Sequence, residues 1–91
     1  MSKYDKLREW LDHQPDDIVS VSFEDIEDDD RIGVKLPLAA RQRRQWWGNE
    51  ISRDSLHVQC RAWLKAGWKV EELNLATETV VFTRLVGRNG R

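Results

Sequence analysis

The sequence predicts one α+β domain, because the chain is short and its apolar residues follow two different spacings. A chain of 91 residues is long enough for a single hydrophobic core and too short for a second domain. Apolar residues recur at helical spacing over most of the chain up to Leu64 and alternate at strand spacing from Trp68 onward. We expect a compact domain over residues 1–86 and a flexible basic tail over residues 87–91.

The first third of the chain predicts a helix, a strand and a second helix. Residues 18–21 are rich in β-branched side chains, which favour a strand. Ser22, followed by Asp25 three residues later, resembles a capping box, so a second helix begins there. Before the strand, four apolar residues share one face of a helix at about residues 3–13, namely Tyr4, Leu7, Trp10 and Leu11.

Two further helices follow in the middle of the chain. Proline is tolerated at the first helical position and strong helix formers come after it, so a third helix is expected from Pro37 to about Trp47. Gly67 is the expected C-cap of a fourth helix. The residues that share the apolar face of this fourth helix are Leu56, Cys60, Trp63 and Leu64.

From Trp68 onward the sequence predicts a β-hairpin. One strand begins at Trp68, the chain turns near residues 76–78, and a second strand covers residues 79–84. Three to four helices, a short strand and a C-terminal hairpin are close to the element order of a winged helix-turn-helix, whose hairpin is the wing. Two departures are the long connection over residues 30–36 and the additional fourth helix.

One hydrophobic core is expected to collect the apolar member of each local period. Trp68 falls on the apolar stripe of its strand and is also expected to be buried. The other expected core residues are Tyr4, Leu7, Trp10, Leu11, Phe23, Ile26, Leu38, Trp63, Leu64, Val70, Leu75, Val80 and Phe82.

The composition predicts a cytoplasmic, reduced protein. No apolar run approaches the roughly 20 residues that cross a bilayer, and the first residues contain no apolar segment of a signal peptide. The single cysteine, Cys60, cannot form an internal disulfide. Stability therefore has to come from packing, to which five tryptophans contribute.

The net charge of −1 hides a strong asymmetry along the chain. Residues 1–30 carry eleven acidic and three basic residues, a balance of −8, whereas residues 31–91 carry five acidic and twelve basic residues, a balance of +7. Such a separation predicts an acidic face beside a basic one. It also allows the two halves simply to attract each other inside the folded domain, and both interpretations stay open.

A basic segment with interleaved tryptophans makes nucleic acid the first candidate partner. Guanidinium groups bind phosphate, while indole and amide groups stack on bases or donate hydrogen bonds to them. The leading hypothesis is duplex DNA, bound mainly by the third helix with the hairpin as a wing. Alternatively, Trp46 or Trp47 is core and the arginines pair with residues 28–30. The candidate nucleic-acid-binding residues are Arg41, Arg43, Arg44, Trp47, Asn49, Arg53, Arg61, Lys65 and Arg84.

The acidic first third supports a rival hypothesis. A run of carboxylates can imitate the phosphates of DNA, so a phage or mobile-element protein of this kind could bind and inhibit a host protein. The residues that would form this protein-binding surface are Asp16, Asp17, Glu24, Glu27, Asp28, Asp29 and Asp30.

Catalysis and metal binding receive little support from the sequence. His57 and Cys60 could share a helical face, but a structural zinc site takes four ligands and only His13 remains as another classical one. Cys60 is more typical of a buried apolar cysteine than of a nucleophile. A metal-dependent nuclease using Asn49, Glu50, Asp54 and His57 is a third, weak hypothesis. We therefore expect no enzyme activity, metal or cofactor.

Several short motifs extend over about residues 23–84, and their combined spacing is more specific than any one of them. The motifs are Leu36-Pro37-Leu38-Ala39-Ala40-Arg41, Trp46-Trp47-Gly48-Asn49, His57, Trp63-Leu64-Lys65-Ala66-Gly67-Trp68 with Val70, and Val80, Phe82 and Arg84. Together they resemble a functionally uncharacterised family of small bacterial and phage domains. The resemblance implies a single domain and brings no activity or catalytic residue with it.

Overall fold

A computed structural model describes residues 4–49 and 58–85 of the chain. It confirms the α+β class, with short helices beside a three-stranded antiparallel sheet. None of the helices in these two ranges has the length and apolarity to cross a bilayer. The elements are α1 (Asp5–Asp12), β1 (Ile18–Ser22), α2 (Phe23–Glu27), α3 (Leu38–Gln42), a 3₁₀ helix (Arg44–Trp47), α4 (Val58–Lys65), β2 (Trp68–Asn74) and β3 (Thr79–Arg84).

The sheet has the strand order β1-β3-β2, so the C-terminal strand lies in the centre. β2 and β3 form the expected hairpin, which begins after Gly67 at a φ of 85°. A left-handed φ of this kind is typical of a helix C-cap, as predicted. The sequence predicted β1 but not the strand with which it pairs. This strand is β3, with Ile18 opposite Thr83 and Ser22 opposite Thr79. β1 and β2 are therefore the two edges of the sheet.

The second helix begins as the sequence predicts. The Ser22 hydroxyl accepts a hydrogen bond from the backbone N–H of Asp25 at 3.1 Å, which caps α2. The N–H of Phe23 donates to the carbonyl of Glu78 at 2.8 Å and joins this helix start to the hairpin turn. α2 ends at Glu27, because the acidic residues that follow oppose the helix dipole.

The third helix differs from its prediction. It was expected to be continuous from Pro37 to about Trp47, but α3 ends at Gln42 and the backbone at Arg43 is extended, with φ −128° and ψ 121°. This break turns Trp47 back so that its indole Nε1–H donates to the carbonyl of Ala40 at 2.8 Å. Burial of the indole outweighs the helix propensity of the arginines and glutamines. Arg41 and Arg44 consequently share no continuous helical face.

The core is close to the predicted one, with one error and several omissions. Leu38 is the error, since it is 66% exposed and the short α3 buries Ala40 instead. The largest omission is the connection before α3, whose alternate residues Ile32, Val34 and Leu36 are all buried. Trp10, Leu64, Val70 and Leu75 are half-buried and pack against the core. The predicted residues that are fully buried are Tyr4, Leu7, Leu11, Phe23, Ile26, Trp63, Trp68, Val80 and Phe82.

Replacing Phe82 with alanine should lower the free energy of unfolding by about 3–5 kcal/mol, because the fully buried ring leaves a cavity when it is removed. The matched control is Leu38→Ala, which should change this free energy by less than about 0.5 kcal/mol because Leu38 is exposed. Urea unfolding monitored by tryptophan fluorescence measures both variants. Equal unfolding midpoints for the two would contradict the packing described here.

Candidate functional site

Arg41, the first of the predicted phosphate contacts, is held by two carboxylates of the protein itself. Its guanidinium donates to Glu78 Oε2 at 2.8 Å and to Glu27 Oε1, and its side chain is 29% exposed. The hydrogen bond to Glu78 is the main cause that raises the pKa of Arg41 above its ordinary value. The negative charge of Glu27 adds to this effect, and partial burial acts against it.

The ion-pair cluster of Arg41, Glu27 and Glu78 connects three parts of the fold. Glu27 belongs to α2, Arg41 to α3 and Glu78 to the turn between β2 and β3. Glu27 also accepts a hydrogen bond from the N–H of Leu36 at 2.9 Å, so it fixes the chain that leads into α3. Arg41 therefore has a structural role, and its assignment as a phosphate contact stays a prediction. The sequence carries no signal for Glu78, because that residue lies 37 positions away from Arg41.

Trp47 and Asn49, which the sequence predicts to contact bases, also have structural roles. Trp47 is 2% exposed. The Asn49 amide donates to the carbonyl of Val70 at 3.0 Å, and its oxygen accepts from the N–H of Val70 at 2.9 Å and from Trp63 Nε1 at 3.0 Å. These three bonds leave little of the Asn49 side chain for a base. The alternative interpretation of Trp47 as a core residue is the correct one.

Arg84 is the fourth predicted contact that is engaged inside the fold. Its guanidinium lies 4.4 Å from the centre of the Trp68 ring and donates to Asp17 Oδ1 at 3.0 Å. It also donates to the carbonyls of Gln14 at 2.7 Å and Asp16 at 2.9 Å. The side chain is only 15% exposed. Arg84 therefore joins the end of β3 to the chain before β1, and its role in a basic wing stays a prediction.

Four of the predicted basic residues remain exposed and form no ion pair with any described residue. Arg61 and Lys65 stand four positions apart on α4 and so share one outward face. Arg43 and Arg44 lie at the break after α3, and Arg44 lines a groove of about 510 Å³ beside β2. Arg53 lies outside the described residues. The basic surface is thus narrower than predicted, and it is divided between α4 and the 3₁₀ helix.

Some residues of the predicted acidic surface form ion pairs within the fold, and others are exposed without one among the described residues. Glu27 and Asp17 are paired with Arg41 and Arg84, so the two halves of the chain do attract each other across the fold. One Asp28 oxygen accepts from the N–H of Asp30 at 2.9 Å. The members that stay exposed are Asp16, Glu24, Asp28, Asp29 and Asp30. A concave surface of about 500 Å³ is lined by Glu24, Glu27, Asp28, Arg41 and Glu78.

Cys60 is fully buried, and burial raises the pKa of its thiol. A buried thiol with a raised pKa is a poor nucleophile. Within residues 4–49 and 58–85, no three histidine, cysteine, aspartate or glutamate side chains are grouped so that they could hold a metal ion. The nuclease hypothesis depends on Glu50, Asp54 and His57, which lie outside the described residues. The expectation that the protein needs no metal remains a prediction.

Comparison with known proteins gives one match. A family model described as a domain of unknown function (DUF7662) matches residues 4–85. No curated protein and no solved structure matches the chain. The family match agrees with the resemblance to an uncharacterised domain family, and it carries no activity.

Replacing Arg41 with alanine should lower the free energy of unfolding by about 1–2 kcal/mol. The effect lies in the lower part of the range for charged hydrogen bonds because Glu78 is 46% exposed and solvent screens the pair. Arg43→Ala removes the same charge two residues away and should cost less than about 0.5 kcal/mol. Chemical denaturation compares the two. Equal stability of the two variants would show that the ion-pair cluster does not support the fold.

Asn49→Ala should lower the free energy of unfolding by about 1–3 kcal/mol, because it removes the hydrogen-bond partners of Trp63 and Val70. Asn49→Asp keeps the acceptor oxygen and loses only the bond donated to Val70, so we expect a smaller loss. Thermal unfolding measures both. A residue that served only to contact nucleic acid would leave the stability unchanged in either variant.

Proposed function

The chain belongs to the DUF7662 family, a domain of unknown function, and we propose that this member binds duplex DNA through the exposed face of α4. The observation that carries the proposal is the position of α4, which directly precedes the β2–β3 hairpin and presents Arg61 and Lys65 to solvent. In helix-turn-helix domains a helix with such a basic outer face lies in the major groove. The proposal keeps the predicted winged-helix arrangement, with the β2–β3 hairpin as the wing.

The opposite face of α4 holds the helix firmly on the domain. Gln59, Cys60, Ala62 and Trp63 are buried, and the Gln59 amide donates to the carbonyl of Trp46 at 2.9 Å. The eight residues of α4 extend for about 12 Å. This length suits contact with a few consecutive phosphates of one DNA strand, which lie about 3.4 Å apart along the helix axis. A helix anchored in this way, with Arg61 and Lys65 exposed, is suited to such a contact.

The proposal moves the main contact from the third helix to α4. Arg41 and Trp47 are engaged inside the fold, whereas Arg43 and Arg44 are exposed and can add phosphate contacts at the margin. The hairpin turn, residues 75–78, contains no lysine or arginine. It therefore offers shape but no positive charge to a DNA backbone.

A second candidate function is the binding of a host protein by the acidic surface. The observation that favours it is that Glu24 and Asp28 remain exposed around a concavity of about 500 Å³, with Asp29 and Asp30 exposed beside them. Carboxylates arranged in this way can imitate DNA phosphates toward a basic partner. This surface repels DNA, so it must face away from the duplex if α4 binds there.

The test of DNA binding is fluorescence anisotropy with a labelled duplex of roughly 20 base pairs at salt concentrations from about 50 to about 200 mM. The protein should bind with a Kd below about 10⁻⁴ M at the lower salt concentration, and binding should weaken as salt is added. The double variant Arg61→Ala/Lys65→Ala should flatten the slope of log affinity against log salt by about two units if each residue neutralises one phosphate.

The matched control is the double variant Arg31→Ala/Lys35→Ala, which removes the same charge beside the acidic run and should leave the slope unchanged. Replacing Asp28, Asp29 and Asp30 with asparagine should leave DNA affinity unchanged or slightly higher. Absence of binding at about 10⁻⁴ M would overturn the DNA proposal and leave the acidic surface as the better candidate. Equal losses in the two double variants would overturn the assignment to α4.

A further inference from the structure

β1 is an edge strand whose outer backbone groups are open. Hydrogen bonds from Arg84 N–H to the Asp17 carbonyl and from Phe23 N–H to the Glu78 carbonyl, each 2.8 Å, define which β1 positions face β3. Antiparallel pairing alternates, so the odd-numbered residues of β1 bond to β3. The N–H and C=O groups of Ile18 and Ser20 consequently point away from the sheet. No described residue forms a hydrogen bond with them.

The β1 edge lacks the features that normally protect an edge strand. Its sequence, Ile18-Val19-Ser20-Val21-Ser22, contains no charge, proline or glycine, and Ile18 is 64% exposed. The opposite edge, β2, carries Lys69, Glu71 and Glu72 and has a register irregularity between Val70 and Glu72. Charges and bulges of this kind hinder pairing with a further strand. Of the two edges, only β1 is a ready template for an added strand.

We propose that the free edge of β1 binds an extended peptide segment of another protein as a fourth strand of the sheet. Main-chain hydrogen bonds to Ile18 and Ser20 would supply the affinity, as in other cases of strand addition. Exposed Asp16 precedes β1, and exposed Glu24 follows it. Charge complementarity therefore selects a segment with an uncharged centre and lysine or arginine at both ends.

A second copy of this chain fits the same edge poorly. Antiparallel self-pairing about a two-fold axis at Ser20 brings Asp16, before β1 of one copy, toward Glu24 at the start of α2 of the other, twice in each dimer. Like charges brought together at an interface are unfavourable. The edge is therefore suited to a basic partner segment and not to homodimers. This interaction is independent of DNA binding, because β1 contributes no residue to the exposed face of α4.

The experiment uses a fluorescein-labelled peptide of alternating valine and threonine with two lysines at each end, and a companion peptide with glutamates in place of the lysines. The lysine peptide should bind the full chain at least about ten-fold more tightly than the glutamate peptide, because only it complements the flanking carboxylates. Addition of the lysine peptide should slow amide hydrogen exchange at Ile18 and Ser20.

The decisive variant is Ser20→Pro, which removes an outward N–H that β3 does not use, so the domain should still fold. Loss of that hydrogen bond should weaken peptide binding about ten-fold. Ser20→Thr keeps the N–H and should bind as the wild type does. DNA affinity should be the same in all three proteins.

Three results would overturn the proposal. They are no binding of the lysine peptide at about 10⁻³ M, equal binding by Ser20→Pro and the wild type, or a dimer in sedimentation that Ser20→Pro dissociates. If Ser20→Pro fails to fold, hydrogen exchange in the wild type decides the question, since unchanged exchange at Ile18 and Ser20 in the presence of peptide excludes strand addition.

Discussion

The burial of Trp47 between two other aromatic rings is the interaction on which the rest of the structure depends. Its ring stacks on Phe23 at 5.2 Å and on Trp63 at 5.7 Å between ring centres, and Trp63 in turn contacts Phe82 at 5.6 Å. This aromatic column joins α2, the 3₁₀ helix, α4 and the central strand of the sheet. In so small a domain, aromatic side chains supply a large share of the buried apolar area. The chain accepts a broken third helix because the break lets Trp47 enter this column.

Polar side chains form further connections between the elements that the aromatic column joins. Most of these side chains were candidates for a binding role. Arg41 joins α3 to α2 and to the hairpin turn, Asn49 joins the end of the 3₁₀ helix to β2 and Trp63, and Arg84 joins β3 to the chain before β1. A small domain buries little apolar surface, so hydrogen bonds and ion pairs of partly buried charged side chains also connect its elements. Their engagement inside the fold explains why a basic sequence yields only a modest basic surface.

The resulting surface separates three kinds of chemistry. Basic side chains without partners among the described residues stand on α4 and beside the break after α3, carboxylates surround the end of α2, and an uncharged strand edge lies between acidic residues at β1. Ion pairs between different elements, such as Arg41 with Glu27, neutralise some of the charges between these surfaces. Charges that are exposed and have no ion pair among the described residues are the ones best suited to act on a partner.

The sequence by itself determined the features that depend on neighbouring residues. Helical spacing located α1 and α4, Ser22 and Asp25 located the start of α2, Gly67 located the turn into the hairpin, and alternation located β2 and β3. Most of the core followed from the same periods, although the buried alternation of Ile32, Val34 and Leu36 in an irregular segment did not.

Only the tertiary structure decided which predicted site residues are available to a partner. Arg41 meets Glu27 and Glu78 at separations of 14 and 37 residues, and Arg84 meets Asp17 at a separation of 67. An exposed arginine and an engaged one have the same local sequence signal, because each carries the same charge and the same helix or strand preference. What distinguishes them is whether the folded chain brings a carboxylate or carbonyl within hydrogen-bond distance. Local spacing in the sequence does not predict such long-range contacts.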